Sequence, residues 1–362
     1  MAKQPMIIQS PFFNKMNFDE YLKKRRLEND LGIALSSRKI MSVEEKNIYK
    51  KKYEEFIDNH TLYPSNGLKG FVLKCDSQLE TPYKFYINPG LYTFDFAEMI
   101  INRCEEKRLK DYNIKFIHPK EMLMNPAEML VLYGTYETMV ELYYLLNELI
   151  QKNNYIEFGK PPILADNIDG KIGFGYDEKH SFSFLIPDTI KIAVREFRHI
   201  IKNEIPKEYI KNQENSGKIY IRLNDLLNDY PKYREKFQKH LNKAYIEKIK
   251  KIPGIEQFII LEEWYLNDNR EYKLKTFQNG SIKEYTSEEA IKLFGLIPPN
   301  FEWVLNKDGE YQLREILIDK NGYKSKRGYS LDQAIKKFGL TPPDYKYYKD
   351  DQKLPIERNV KK

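Results

Sequence analysis

The sequence predicts an α+β protein: a helical N-terminal region, a mixed α/β core and C-terminal β-hairpin–helix repeats. Three observations carry this expectation. Between Thr81 and Phe197, segments of helical period alternate with strand-like runs. Before that core, helix-start signals precede apolar residues at helical spacing. In the last hundred or so residues, a strand–turn–strand–helix pattern recurs. The expected division is a helical region over 1–65, a core over 66–205, a linker with a basic helix over 206–256, and tandem hairpin–helix repeats over 257–362.

In the N-terminal region, Asn17-Phe18-Asp19-Glu20 and Ser42-Val43-Glu44-Glu45 both fit a capping box. Tyr49, Tyr53, Phe56 and Ile57 then share one helical face. The basic run Lys23-Lys24-Arg25-Arg26 is better explained as a solvated helix face than as a nucleic-acid contact. Gly70-Phe71-Val72-Leu73-Lys74-Cys75 supplies an extra strand for the core sheet.

The core opens with Tyr83-Lys84-Phe85-Tyr86-Ile87, a strand stopped by Asn88-Pro89-Gly90. Asp95-Phe96-Ala97-Glu98 starts a helix, with Asp95 accepting from the N3 amide and Glu98 reaching back to the cap. Two more strands are Ile114-Lys115-Phe116-Ile117 and Met129-Leu130-Val131-Leu132-Tyr133. Thr135 caps a long helix that turns Met139, Leu142, Leu146 and Ile150 to one side. After Gly159-Lys160-Pro161-Pro162 come short strands around Ile172–Tyr176 and Phe182–Leu185. Pro187-Asp188 then opens a helix bearing Ile190, Val194, Phe197 and Ile201.

Beyond the core, Pro206 ends that helix. Lys218–Arg222 is a short strand. Tyr233, Phe237, Leu241 and Ile249 mark a basic helix closed by Pro253-Gly254. Tyr285–Phe301 returns as Tyr329–Tyr345, matching Ala290 to Ala334, Phe294 to Phe338 and Gly295 to Gly339. Asn279-Gly280 and Asn321-Gly322 are hairpin turns. Thr286 or Ser287 caps the first helix of the pair and Ser330 the second, and each glycine ends its helix in the left-handed conformation. Tyr345-Lys346-Tyr347-Tyr348 begins a third, partial copy.

The chain has 362 residues, 41% hydrophobic and 31% charged, enough to bury a core and stay soluble. Its net charge of +7 is spread thinly, which permits an acidic partner without requiring one. Two cysteines, Cys75 and Cys104, form neither a disulfide framework nor a zinc site by themselves, and suit a reduced cytoplasm. No apolar run is long enough for a signal peptide or a membrane helix. Type III secretion signals lack an apolar core, so export as an effector stays open.

Few residues stand out as chemistry. Gly170-Lys171-Ile172-Gly173-Phe174-Gly175 lacks the ending of a phosphate loop and is followed by no helix start, so its glycines point to a tight turn or a close backbone approach. The histidines, His60, His118, His180, His199 and His240, show no metal spacing, and neither metal nor cofactor is expected. His118 and His180 fall at strand ends of the core. Lys115 projects to the face opposite Ile114 and Phe116; desolvation there would lower its pKa toward general-base use. Trp264, Trp303 and Tyr347 recur at matched places in the repeats, which favours packing over base stacking. Nucleic acid is therefore a less favoured partner than protein.

Taken in order, Tyr83–Asn88, Lys115, Val131-Leu132-Tyr133, Pro161-Pro162, Ile172–Gly175 and Ser181-Phe182 resemble the HopA-like family. That family includes type III effectors and lyase components of lanthipeptide synthetases, and is similar to the phosphothreonine lyases. The resemblance covers Thr81 to about Phe197. It implies binding of a phosphorylated or anionic peptide and elimination of phosphate without a cofactor. Lys115 would be the base, and His118 or His180 the acid. The family's clamping arginine has no match, since Asn125-Pro126-Ala127-Glu128 stands in its place. Lys84, Lys120, Lys160 and Arg195 are the cations left to hold the substrate. The runner-up is a non-enzymatic interaction protein of a mobile element, acting on protein or nucleic acid through its repeats.

Overall fold

The computed structural model of the protein describes residues 6–14, 18–19, 22, 39–40, 42–61, 63–65, 69–73, 80–117, 119, 124–125, 129–161, 166–168, 171–177, 182–201, 203–206, 209–212, 219–221, 223–319 and 323–342. The Lys23–Arg26 run, Asn17, Glu20, Cys75, Asn321-Gly322 and Tyr345–Tyr348 lie outside them. The fold is α+β, as the periodicities predict. It divides into two compact units, Met1–Glu262 with Gln278–Gly280, and Glu263–Phe277 with Ser281–Lys362.

The first unit begins with β1 (Ile7–Gln9), β2 (Lys39–Ile40) and α1 (Val43–Asn59). Strands β3 (Tyr63–Ser65), β4 (Lys69–Leu73) and β5 (Tyr83–Ile87) lead to α2 (Thr93–Glu106). Next come β6 (Tyr112–Ile117), β7 (Met124–Asn125), β8 (Leu130–Gly134) and α3 (Tyr136–Lys152). Strands β9 (Asp166–Ile168) and β10 (Ile172–Tyr176) precede α4 (Phe182–Ile201). The unit closes with β11 (Ile210–Asn212), β12 (Ile219–Ile221), α5 (Leu223–Asp229), α6 (Pro231–Ile249) and the start of β13 (Ile259–Leu266). Its main sheet runs β13-β1-β9-β10-β5-β8-β6-β4-β3. Only the β1–β13 pair is parallel among the described pairings of that sheet.

Local signals account for many of these elements. Ser42 accepts from the Glu45 amide while the Glu45 carboxylate accepts from the Ser42 amide, the expected capping box of α1. Thr135 accepts from the Thr138 amide at the start of α3. The extra strand joins the sheet as β4, paired with β6. Helices α1 and α2 cover one face of the sheet, where Phe56 and Phe94 meet Phe116 of β6. Helix α3 adds Tyr143 against Phe85 of β5. The basic helix α6 packs on α4 through Phe197 and Phe237, so residues 206–256 take part in the first unit.

Four local expectations are corrected. The region over 1–65 is not helical throughout: Ile8 is fully buried in β1, whose partner Ile260 lies more than two hundred residues away in sequence. Pairing that distant leaves no local periodicity. Helix α2 begins at Thr93 after Tyr92, with no side-chain cap. Asp95 and Glu98 instead face α1, pairing with Lys52 and His60; tertiary ion pairs outcompete the local cap. Residues 182–185 are the first turn of α4 rather than a strand. Four alternating residues are too short a run to separate the two periods, and the apolar stripe from Ile190 onward extends the helix backward. Ile57 is 38% exposed, because Tyr49 and Phe56, two turns apart, set the buried stripe of α1.

The second unit carries the rest of β13, most of β14 (Tyr272–Gln278), β15 (Ser281–Thr286), α7 (Ser287–Phe294), β16 (Phe301–Leu305), β17 (Tyr311–Ile318), β18 (Lys324–Ser330) and α8 (Leu331–Phe338). At the turn between β14 and β15, Asn279 and Gly280 both have positive φ, 49° and 74°, which matches the right-handed twist of a hairpin. Thr286 and Ser330 head capping boxes, and Gly295 and Gly339 end α7 and α8 at φ 64° and 68°. Strands β16, β17 and β18 form an antiparallel sheet under α8. Trp303 packs against the cluster of Leu313, Tyr329, Ala334, Leu340 and Ile291, a packing role as its repeated position suggests.

Candidate functional site

Alternation along β5, β6, β8 and β10 gives their shared sheet two unlike faces. On one, Phe85 lies opposite both Phe174 and Leu132, and Leu132 lies opposite Ile114. All four are fully buried. The register that stacks those residues also aligns a polar set on the other face. Lys84 lies opposite Gly175 on β10 and Tyr133 on β8. Tyr86 lies opposite Gly173 and Val131, while Asn113 and Lys115 of β6 lie opposite Tyr133 and Val131.

The two lysines converge on one ring. The Lys84 ammonium is 5.4 Å from the centre of Tyr133, and that of Lys115 is 6.0 Å from it. Lys84 also stands 5.9 Å from the Tyr86 ring. These distances reach the outer limit of cation–π attraction, so each contact orients more than it stabilises. Lys84 is only 4% exposed, whereas Lys115 is half-buried. Burying an ammonium is costly without a counter-charge. Asp177 supplies one, with its carboxylate 2.6 Å from the Lys84 nitrogen. Its backbone is held at the end of β10, where the Asp177 amide donates to the Pro82 carbonyl at 2.7 Å.

At the same end of the strand, Tyr83 and Tyr176 pack ring to ring at 5.0 Å. Burial, then the neighbouring Tyr176, pushes the Tyr83 phenol well above its ordinary value. Its hydroxyl donates to the Pro253 carbonyl, which ties β5 to the turn after α6.

Of the candidate cations, the structure brings Lys84 and Lys115 together. It does not bring Lys160 or Arg195 to the Tyr133 ring. Lys160 is exposed beside Gly159, which bridges to Asn88 beyond the far end of β5. Arg195 is exposed on α4. His118, His180 and Lys120 lie outside the described residues. Sequence reasoning missed Tyr133, Tyr86 and Asp177. Strand alternation placed the tyrosines on the face of the lysines and was the available signal; nothing local marked Asp177. Gly173 and Gly175 lie within β10 rather than in a tight turn, in register with Tyr86 and Lys84 of β5. The arrangement sets two lysine side chains beside one aromatic ring, the more buried of them paired with a carboxylate. Among the described residues, no group of three or more His, Cys, Asp or Glu could hold a metal ion. No helix among them is long and apolar enough to cross a membrane.

No family model matches the chain, and no curated protein matches it either. Among solved structures it is similar to the effector protein from Pseudomonas syringae pv. syringae strain 61, at 12% identity and a TM-score of 0.36. The likeness covers 52% of this chain and 92% of that one.

Proposed function

We propose that the face around Tyr133 binds a phosphorylated or otherwise anionic peptide, and that the chain is an effector-like protein with a lyase fold of the HopA-like kind. The observation that supports this most is the convergence of Lys84 and Lys115 on one ring, beside a strand with glycine at both facing positions. A phosphate there would meet the Lys84 ammonium, paired with Asp177, while the Lys115 amine would serve as the base.

The chemistry this site would support is β-elimination. The neutral amine of Lys115 takes the Cα proton of a phosphothreonine or phosphoserine. The C–H electron pair becomes the Cα–Cβ double bond, the Cβ–O bond breaks, and phosphate leaves with that bond's pair. His118 or His180 would protonate it. Lys84, positioned by its ion pair with Asp177, would stabilise the leaving phosphate throughout. Lys120, Lys160 and Arg195 remain candidates for the rest of the peptide.

The test is incubation of the full chain with phosphothreonine and phosphoserine peptides, followed by mass. Loss of a whole phosphoric acid unit, abolished in Lys115→Ala, is the expected result. Replacement of phosphate by water means hydrolysis and overturns the elimination step. Failure to bind the peptides at all overturns the site. A nucleic-acid partner for the second unit gains little support, because Lys275 and Arg314 are each within 4 Å of a glutamate, Glu263 at 3.8 Å and Glu302 at 3.7 Å.

A further inference from the structure

The second unit carries a cleft that the proposed site does not use. Helices α7 and α8 occupy matched places in the repeated sequence, and Ile335 corresponds to Ile291 as Gly339 does to Gly295. Their surroundings differ. Ile291 is 3% exposed and closes into the cluster of Leu313, Tyr329, Ala334 and Leu340. Phe301 and Trp303 of the strand that follows α7 pack over it. Ile335 is only half-buried, and with Phe338 it lines a cleft of about 520 Å³ between the two helices. The position that is closed into the cluster on one helix is thus only partly buried on the other.

The rim of this cleft has a sign. Lys292, Lys336 and Lys337 line it and are exposed, against a single carboxylate from Glu288. Lys337 also lies 5.0 Å from the Tyr329 ring and 4.9 Å from that of Phe338, so its charge borders the apolar floor. The helix dipole favours lysine in a last turn. It does not account for half-buried Ile335 and Phe338 lying between lysines of two different helices.

We propose that this cleft docks an acidic, amphipathic segment of a protein partner. Its aliphatic or aromatic residues would cover Ile335 and Phe338, and its carboxylates would meet the three lysines. Apolar contact supplies the affinity, and the charge selects an acidic segment over a basic one.

The test uses the full chain and two synthetic amphipathic peptides with the same leucines, one carrying glutamate at its polar positions and the other lysine. Fluorescence anisotropy should show binding of the acidic peptide alone, weakening as salt rises. Lys336→Glu with Lys337→Glu should weaken it by about tenfold or more. Both positions are exposed, so that variant keeps its fold, checked by its melting temperature. Ile335→Asp should remove binding. Equal binding of both peptides, no binding of the acidic one up to millimolar concentration, or binding unchanged in the charge-reversed variant would each overturn the proposal. Self-association of the chain that Ile335→Asp abolishes would assign the cleft to a second copy, and would overturn it as well.

Discussion

The two faces of the central sheet are built from the same four strands and differ in what they bury. One face stacks Phe85, Phe174, Leu132 and Ile114 with no exposed surface, under α1, α2 and α3. The other presents Lys84, Tyr86, Tyr133, Asn113 and Lys115 beside two glycines. An apolar face repays burial directly, by roughly 25 cal/mol per Å² removed from water. A face that buries an ammonium must find a carboxylate for it, and gains little stability by doing so. The difference teaches that burial on the second face yields less stability per residue than on the first.

Substitutions can break or sharpen that contrast. The largest expected effect is on the apolar face: Phe85→Ala should destabilise the first unit by about 3–5 kcal/mol through lost transfer energy and a cavity. Chemical denaturation measures it. A loss under about 1 kcal/mol would mean the face collapses freely and is not close-packed.

Next comes the counter-charge. Asp177→Ala leaves Lys84 buried beside no carboxylate from that position, and should cost about 2 kcal/mol, less than a fully enclosed pair because Asp177 is itself partly exposed. Lys84→Met should cost less than Asp177→Ala, about 1 kcal/mol or under, since an apolar chain of similar length tolerates burial and leaves the carboxylate partly solvated. If the two variants are equally unstable, the pair is structural and the contrast between faces fails. Binding of a phosphopeptide should fall in both.

The smallest stability effect is expected at Lys115. Because it is only half-buried, Lys115→Ala should change stability by no more than about 0.5 kcal/mol. On the proposed elimination, phosphate release should nevertheless disappear, because a base acts in the transition state rather than in the ground state. A Lys115→Ala protein that has lost stability but kept its activity would reverse the reading of that face.

How much of this was legible beforehand depends on the length scale of each interaction. The caps at Ser42, Thr135, Thr286 and Ser330 act within four residues, and the sequence pattern located all of them. The left-handed glycines at 295 and 339 were legible for the same reason, since only the glycine's own backbone decides them. Asp95 carried an equally good local signal, and Lys52 of α1 claimed its carboxylate. The Phe182–Leu185 alternation was overridden by the helix that continues from it.

The candidate site shows the same division. That Lys115 stands on the face opposite Ile114 and Phe116 follows from the pleat alone, as does the placement of Lys84 opposite Phe85. Local sequence therefore determined the strands β5, β6, β8 and β10, the caps at Ser42, Thr135, Thr286 and Ser330, and the side to which each of these residues points. Only the tertiary structure decided that β8 lies between β5 and β6, which puts Tyr133 between Lys84 and Lys115, and that Asp177 ends the neighbouring strand within reach of a buried ammonium. The physical reason is that strand order and register are set by pairings between residues far apart in the chain, stabilised by burial of the opposite face, and no window of the sequence contains both partners.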